Sequence, residues 1–510
     1  MKASTRFMSL VFVISLLLVS IAILPGCTKE PLPPEDSNPE AESSTPKESF
    51  PSDNTESNTL NESSASTDTE PEFADADYQG ASFVIRARSS TASSYASEFL
   101  VSDDPSDIVK SEVIKRNDAI KKKYNVTIEV IELDDAYSNV DALIETGDID
   151  FDVLLERRSK MATLATKGSL YDFNKLKNVN LKANYWDANA YEQYTVNGKL
   201  FFMPNDISTS NFNRVLCLVY NRDLINDYKL QDPQKLVEKN EWTLEEFLKL
   251  SSSIHDDNGD GIWTVDDVYG LFFQDGGSTL LSMLTGCGVT YTKTNAEGML
   301  SLNIKGEKTE KLISKIRDSL YGNPACASIQ QITKTGDSSS FAHIYDYARN
   351  LFANGHALFI WANPSTTNQF AGSNFGLLPN PKESSEQKSY YHRMDGLALI
   401  WAIPNTSKIN YEKVANVFEY GGYTSSKTVM QAYYETVLQG RRVKTSKDAE
   451  ILDLIKNTIR YEITDIFSLN VSNIIDTAYT SGNISSTIKS MSGPISKKIT
   501  KLYEDIGNLK

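Results

Sequence analysis

Gly198-Lys199-Leu200-Phe201-Phe202-Met203-Pro204-Asn205-Asp206, followed shortly by Val215-Leu216-Cys217-Leu218-Val219-Tyr220-Asn221-Arg222, is the stretch whose reading decides the fold. An apolar strand reaches a proline that cannot donate to a sheet ladder. It then passes through short polar residues and resumes as a second apolar strand from Val215 to Tyr220. This interruption reads as a crossing between two lobes.

On the N-terminal side of the crossing, Ser82 to Arg86 reads as a short strand followed by a Ser-rich turn from Ser89. A helix is expected from Asp107, with Val109, Val113, Ile120 and Tyr124 at near-helical spacing, running into an alternating strand from Val126 to Ile131. Phe151 to Leu155 is a further strand, and the Ala- and Leu-bearing helix after it stops at Gly168. Strands alternating with helices predict an α/β fold with mostly parallel sheets flanked by helices.

On the C-terminal side, Trp242-Thr243-Leu244-Glu245-Glu246-Phe247 carries a capping-box pattern. Thr243 can accept from the Glu246 amide, Glu246 can reach back, and Trp242 can staple onto Phe247. Ala357 to Trp361 and Gly396 to Ile403 are apolar strands that end in polar or proline-marked loops, and the chain from Tyr411 reads mostly as helices. No internal repeat is present.

With 510 residues, 40% of them hydrophobic, the chain can fill sizeable cores in two or three domains. The formal charge of -16 is concentrated near the N-terminus, where Thr28 to Asp77 holds 14 acidic residues against 2 lysines. No basic face is left for a nucleic-acid partner.

Lys2 and Arg6 precede an uncharged apolar run from Phe7 to Leu24, and the run closes on Leu24-Pro25-Gly26-Cys27. This predicts a lipoprotein signal peptide over 1–27 with a lipobox, Cys27 being the lipidated residue. An uncleaved membrane anchor is the alternative, and either puts the rest of the chain outside the membrane. Residues 28–77, rich in Pro, Glu, Ser, Thr and Asn, cannot bury enough apolar surface to order themselves and are expected to form a disordered acidic tether.

Of the remaining cysteines, Cys217 sits within an apolar strand as a small hydrophobe. A disulfide between Cys287 and Cys326 is permitted outside the cytoplasm.

Asp256-Asp257-Asn258-Gly259-Asp260-Gly261-Ile262-Trp263-Thr264-Val265-Asp266-Asp267 has the spacing of a calcium loop. Asp256, Asn258, Asp260, the Ile262 carbonyl and Asp267 would be the ligands, Gly261 the turn, and lobe stabilisation the role. Asp267 replaces the long bidentate Glu of such loops. A hydrophilic turn closed by side-chain hydrogen bonds fits the same residues.

No nucleophile motif, paired metal-binding histidines or phosphate loop supports catalysis, and nothing selects a carboxylate pair for glycoside cleavage. Aromatics at strand ends say more, because sugars are recognised by flat apolar faces together with forked polar groups. Trp361 is placed at a strand-to-loop edge, where ligands bind in open α/β sheets. Trp186 fits either ligand or core, Trp401 fits the core, and Glu156-Arg157-Arg158 offers either forked donors at another strand end or a solvated charge run.

Taken in order, several blocks resemble the extracellular solute-binding proteins of ABC importers, of the maltose-binding-protein-like kind. They are Gly198 to Pro204 with Val219-Tyr220-Asn221-Arg222-Asp223-Leu224, then Glu241 to Glu246 and the Asp256 to Gly270 loop. Phe352-Ala353-Asn354-Gly355-His356-Ala357, Phe375 to Pro379 and Trp401 to Pro404 complete the series, which covers roughly Tyr78 to Ile463.

The resemblance implies a two-lobed periplasmic-binding-protein-like fold of class II with a hinge between lobes built from discontinuous segments. Residues 78–206 plus about 395–455 would form the N-terminal lobe, and 207–394 plus about 456–510 the C-terminal lobe. By family position the cleft residues are Arg88, Ser89, Glu156, Arg157, Asn205, Asp206, Gln274, Asp275 and Trp361. The return strand Gly396 to Pro404 should recross beside Gly198 to Asp206, so that the two together form the hinge.

The expected function is a lipid-anchored, monomeric receptor on the extracellular face of a Gram-positive membrane. It would capture an oligosaccharide and deliver it to ABC permease subunits, with no required cofactor. A glycan-binding adhesin without a transporter and an extracellular glycosidase are the competing readings from other classes.

Overall fold

In the computed structural model the described residues are 71–89, 100–295, 299–438 and 446–509. The expected signal peptide with Cys27, and nearly all of the tether, lie outside them. No helix among the described residues is long and apolar enough to cross a membrane.

The strands in chain order are β1 (Ala81–Arg88), β2 (Val126–Leu133), β3 (Val153–Arg157), β4 (Val215–Asn221), β5 (His255–Asp256), β6 (Val268–Phe273) and β7 (Thr292–Thr294). There follow β8 (Leu300–Leu302), β9 (Cys326–Ser328), β10 (Ala357–Ala362), β11 (Phe375–Leu378), β12 (His392–Met394), β13 (Leu399–Ala402) and β14 (Ile459–Arg460). The first sheet has the order β13-β3-β1-β2, with β1 parallel to β2 and β3, and β13 antiparallel to β3. The second runs β14-β12-β4-β10-β6-β5, with β11 also on β4 and β9 on β6. Within it β9, β6 and β10 are parallel, as are β12 and β14, while β4 is antiparallel to β10, β11 and β12. These are the two lobes, each sheet drawing on discontinuous stretches of chain.

Local chemistry accounts for the elements. Asp107 caps the helix Ile108–Tyr124 by accepting from the amides of Val109 and Lys110, both at 2.9 Å, and Asn125 ends it in the left-handed region. The residues this helix buries include the expected Val109, Val113, Ile120 and Tyr124, and also Arg116, whose guanidinium donates to the Leu100 and Ile207 carbonyls. Thr243 accepts from the Glu246 amide, and Trp242 meets Phe247 edge-on at 5.9 Å. Glu246 turns to Lys249 instead of reaching back.

The opening stretch is less regular than expected. Leu200, Phe201, Phe202 and Met203 are buried, but the run pairs only through Met203, which exchanges backbone bonds with Trp401 at 3.2 and 3.3 Å. Pro204 stops the ladder there. The return strand does recross beside it. The Asp395 amide donates to the Arg214 carbonyl at 2.9 Å, and the Leu399 amide to Ser210 Oγ at 2.9 Å. Arg158, buried beside the return segment, donates to the carbonyl of Asp395 at 2.9 Å and to the Tyr194 hydroxyl at 3.1 Å.

The last helix, Ile484–Gly507, packs against Val471–Ser481 and β8 at one end and near Ala162–Thr166 at the other. Its final carbonyls at Ile506 and Gly507 accept from Lys199 Nζ at 2.9 and 3.2 Å, placing a cation at the negative end of the helix. The permitted disulfide is not formed, and Cys217, Cys287 and Cys326 are buried thiols. Cys287 lies against the Pro381 carbonyl and Cys326 against that of Ser251.

Candidate functional site

A cavity of about 410 Å³ opens on the face of the second sheet where the two crossings meet. Leu216, Phe272 and Ile360 give it an apolar floor, and Arg214, Asp395 and Leu397 are contributed by the crossing segments.

Trp361 lines the cavity from β10. Its ring rests edge-on against Phe247 at 5.3 Å, and its indole N–H donates to Asn380 Oδ1 at 3.0 Å. Asn380 is fully buried, and its backbone N–H donates to His392 Nε2 at 3.1 Å. Burial pushes His392 down to about 3, so the ring is neutral. With Nε2 accepting, Nδ1 carries the proton and donates to Thr458 Oγ1 at 2.8 Å. Trp361 is thus held in one orientation by a fully bonded chain behind it.

Gln274 lines the cavity from the loop after β6. That loop needs two consecutive positive φ values, 70° and 51°, which Gly276 and Gly277 supply at little cost. The turn also brings Ser278 and Thr279 to the cavity wall, with Thr279 Oγ1 accepting from the Gln274 amide at 3.0 Å.

Opposite, the helix Ile344–Ala353 presents Tyr345 and Arg349, with His343 at its N-cap. Arg349 is fixed by bonds from Nε to Gln369 at 2.5 Å and from Nη2 to Asp346 at 2.6 Å. Asn363 and Thr366 complete the polar wall.

The other sequence-derived candidates do not line this cavity. Glu156 is 0% exposed, and its oxygens accept from the amides of Ala136 at 2.9 Å and Arg157 at 2.7 Å. The reason is β13, which pairs Leu399 with Arg157 and covers the end of β3. Arg88, also buried, stands 3.5 Å from Glu156 and donates to the Asp134 carbonyl at 2.6 Å. Ser89 is buried beside it.

Arg157 is partly exposed, and burial followed by repulsion from Arg88 and Arg214 holds its guanidinium below its ordinary value. Trp186 is 0% exposed and donates to Glu419 Oε2 at 2.7 Å, a core contact. Asn205 closes its own turn by accepting from the Ile207 amide at 3.0 Å. Asp206 is buried in an ion pair with Lys456 at 2.6 Å, and desolvation still raises its pKa. Asp275 accepts from the Tyr321 hydroxyl at 2.7 Å.

The calcium-loop residues are adjacent but do not converge on a point. Asp267 is fully buried and spends its two oxygens on the amides of Asn258 at 2.9 Å and Thr264 at 2.7 Å. Asp260 caps the Ile262 amide at 2.7 Å, Asn258 caps the Asp260 amide at 3.0 Å, and Asp256 accepts from the Tyr228 hydroxyl. Among the described residues no group of three His, Cys, Asp or Glu side chains could hold a metal ion. The donor set, in this arrangement, is that of a hydrogen-bonded turn and does not fit the ion.

Sequence reasoning missed Arg214, His343, Tyr345, Arg349 and Asp395. The spacing of Tyr345 and Arg349 on one face of a helix was a usable signal. Arg214 and Asp395 carry none, because they become cavity residues only when the two crossings lie side by side.

The sequence pattern of bacterial extracellular solute-binding proteins matches residues 115–447. No curated protein sequence matches the chain. Among solved structures, the sugar-binding protein MalE from Xanthomonas citri is similar at 13% identity and TM-score 0.55, over 83% of this chain and 97% of that one. A sugar transporter from Rhizobium etli in an open conformation gives 14% and 0.52, over 83% and 99%. A cyclo/maltodextrin-binding protein complexed with maltotetraose gives 15% and 0.52, over 84% and 98%. At such identities the likeness is one of fold.

Proposed function

The chain belongs to the bacterial extracellular solute-binding proteins, and on that premise we propose that it captures an oligosaccharide in the cavity beside Trp361. The lobes close about the two crossings and the loaded protein delivers its cargo to an ABC permease pair. In this reading residues 78–206 plus about 395–455 move against 207–394 plus about 456–510. Cys27 carries the lipid anchor. The tether is shorter than the expected 28–77, because Phe73 already packs edge-on against Tyr420 at 5.0 Å and Asp77 accepts from Asn125 Nδ2 at 3.0 Å. The protein acts as a monomer on the outer face of the membrane.

The observation that carries the reading is the combination at one cavity of aromatic faces, Trp361 and Tyr345, with forked polar groups, Gln274, Asn363 and Arg349. That is what pyranose rings and their hydroxyls require. The fold neighbour complexed with maltotetraose supports the same ligand class.

No catalytic step enters, because binding and release are the whole cycle. A thermal-shift screen against a saccharide library, with and without chelator, tests the reading. At least one oligosaccharide should raise the melting temperature. Stabilisation by peptides or lipids alone, with no response to any saccharide, refutes it.

A further inference from the structure

The wall of the cavity that carries Gln274 and Ser278 is a turn held from outside the cavity. Both residues line it, and the Gln274 side-chain amide and the Ser278 hydroxyl make no hydrogen bond among the described residues. A forked amide and a hydroxyl, side by side and open, are groups that saccharide hydroxyls can pair with.

Between them the backbone takes an unusual path. Gly276 has φ 70° and ψ -152°, a region essentially reserved for glycine, and Gly277 follows with φ 51°. The bend is pressed against Asp476 of the helix Val471–Ser481, which does not line the cavity. A Cβ on Gly276 would stand 2.3 Å from Asp476 Oδ1, so the approach leaves no room for any other residue.

That same oxygen accepts from the Gly277 amide at 2.7 Å. Gly277 is the first residue of the helix Gly277–Gly286, where backbone amides have no partner within the helix and a carboxylate is favoured by the helix dipole. The preceding residue of the turn is secured as well. The Asp275 amide donates to Gln330 Oε1 at 3.0 Å, and its carboxylate accepts from the Tyr321 hydroxyl at 2.7 Å.

Two consecutive glycines would otherwise leave the turn many conformations, and ordering it at the moment of binding would cost affinity. We propose that Asp476 is a positioning residue for saccharide binding. From outside the cavity it fixes the Gly276-Gly277 bend, and with it the places of the Gln274 amide and the Ser278 hydroxyl. This rests on the saccharide-binding reading above.

Calorimetric titration of the full chain with maltotetraose, cellotetraose, xylotetraose and mannotetraose finds the probe that the parent binds. For that probe Asp476→Ala should raise Kd about fivefold or more, the scale of one hydrogen bond. Asp476→Asn keeps an oxygen acceptor of the same shape and should stay within about twofold of the parent. In a Gln274→Ala background the loss caused by Asp476→Ala should shrink, because one of the two groups being positioned is gone.

Asp476 is partly exposed, so its variants should fold, and melting curves check this. Gly276→Ala displaces the same bend from the other side and should weaken the same probe about fivefold or more, which keeps the test valid if Asp476→Ala does not fold. An unchanged Kd in Asp476→Ala, or a loss undiminished in the Gln274→Ala background, overturns the inference and spares the saccharide reading. If the parent binds none of the four probes, the saccharide reading fails and the inference with it.

Discussion

Replacing Trp361 separates its packing role from the binding role proposed for it. Its indole N–H satisfies Asn380, which is fully buried, while its ring touches Phe247 on one side and the cavity on the other. Trp361→Ala loses both. Leaving Asn380 Oδ1 without its donor costs about 1 to 3 kcal/mol. The lost ring adds part of the 3 to 5 kcal/mol typical of a fully buried aromatic, roughly half here because the side chain is partly exposed. A destabilisation of about 2.5 to 5.5 kcal/mol follows. Loss of the stacking face weakens saccharide binding by about 1 to 3 kcal/mol, or roughly 5- to 150-fold in Kd.

Trp361→Phe divides the effects. It keeps an aromatic face, so binding should stay within about 1 kcal/mol, but it leaves Asn380 unsatisfied, so about 1 to 3 kcal/mol of stability is still lost. Urea denaturation and calorimetry on both variants measure the two quantities separately. If Trp361→Ala is less stable yet binds its saccharide as the parent does, Trp361 is a core residue and the placement of the site is refuted.

Other consequences are open to simple measurement. Glu462 is buried, and burial raises its carboxyl to about 8 from an ordinary 4.5. Between those values the folded chain holds a proton the unfolded chain has lost, so stability should fall as pH rises, by up to about 1.4 kcal/mol per unit from this group. Glu462→Gln should flatten the slope of urea-derived stability against pH, and an unchanged slope would remove Glu462 from the account. Burial pushes the thiols of Cys287 and Cys326 up to about 12, so neither these nor buried Cys217 should react with a thiol reagent until the protein is unfolded. Fast labelling of any of the three in the native state would contradict the packing described. Asp267→Ala should cost about 2 to 4 kcal/mol through two lost bonds to backbone amides. The same loss should appear with chelator present, whereas a loss that vanishes in chelator would show the residue serving calcium instead.

Much of the fold was legible because local chemistry and long-range packing agree. Asp107, the buried face from Val109 to Tyr124 and the Trp242-Thr243 helix start are read correctly from residue spacing alone. The opening stretch was legible as a crossing but not as a strand, because Pro204 and isolated bridges at Lys199 and Met203 replace a ladder.

Cavity positions were legible where one strand or turn places a residue, as with Trp361 and Gln274. It was not legible where position depends on what covers a strand end. Glu156 sits at the end of β3 as expected, but β13, distant in sequence, seals it in. Arg214 and Asp395 become neighbours only through the hydrogen bond between the two crossings. Asp206, expected on the cleft floor, is taken up by Lys456 from a helix that nothing in its own vicinity announces.

The central claim is that the two lobes close on a saccharide. Small-angle scattering of the full chain, with and without a saturating saccharide identified by the thermal screen, tests it most directly. Closure predicts a smaller radius of gyration in the loaded protein, and no such change with a saccharide that does not bind. A saccharide that binds tightly while the radius of gyration stays constant would contradict capture by hinge closure.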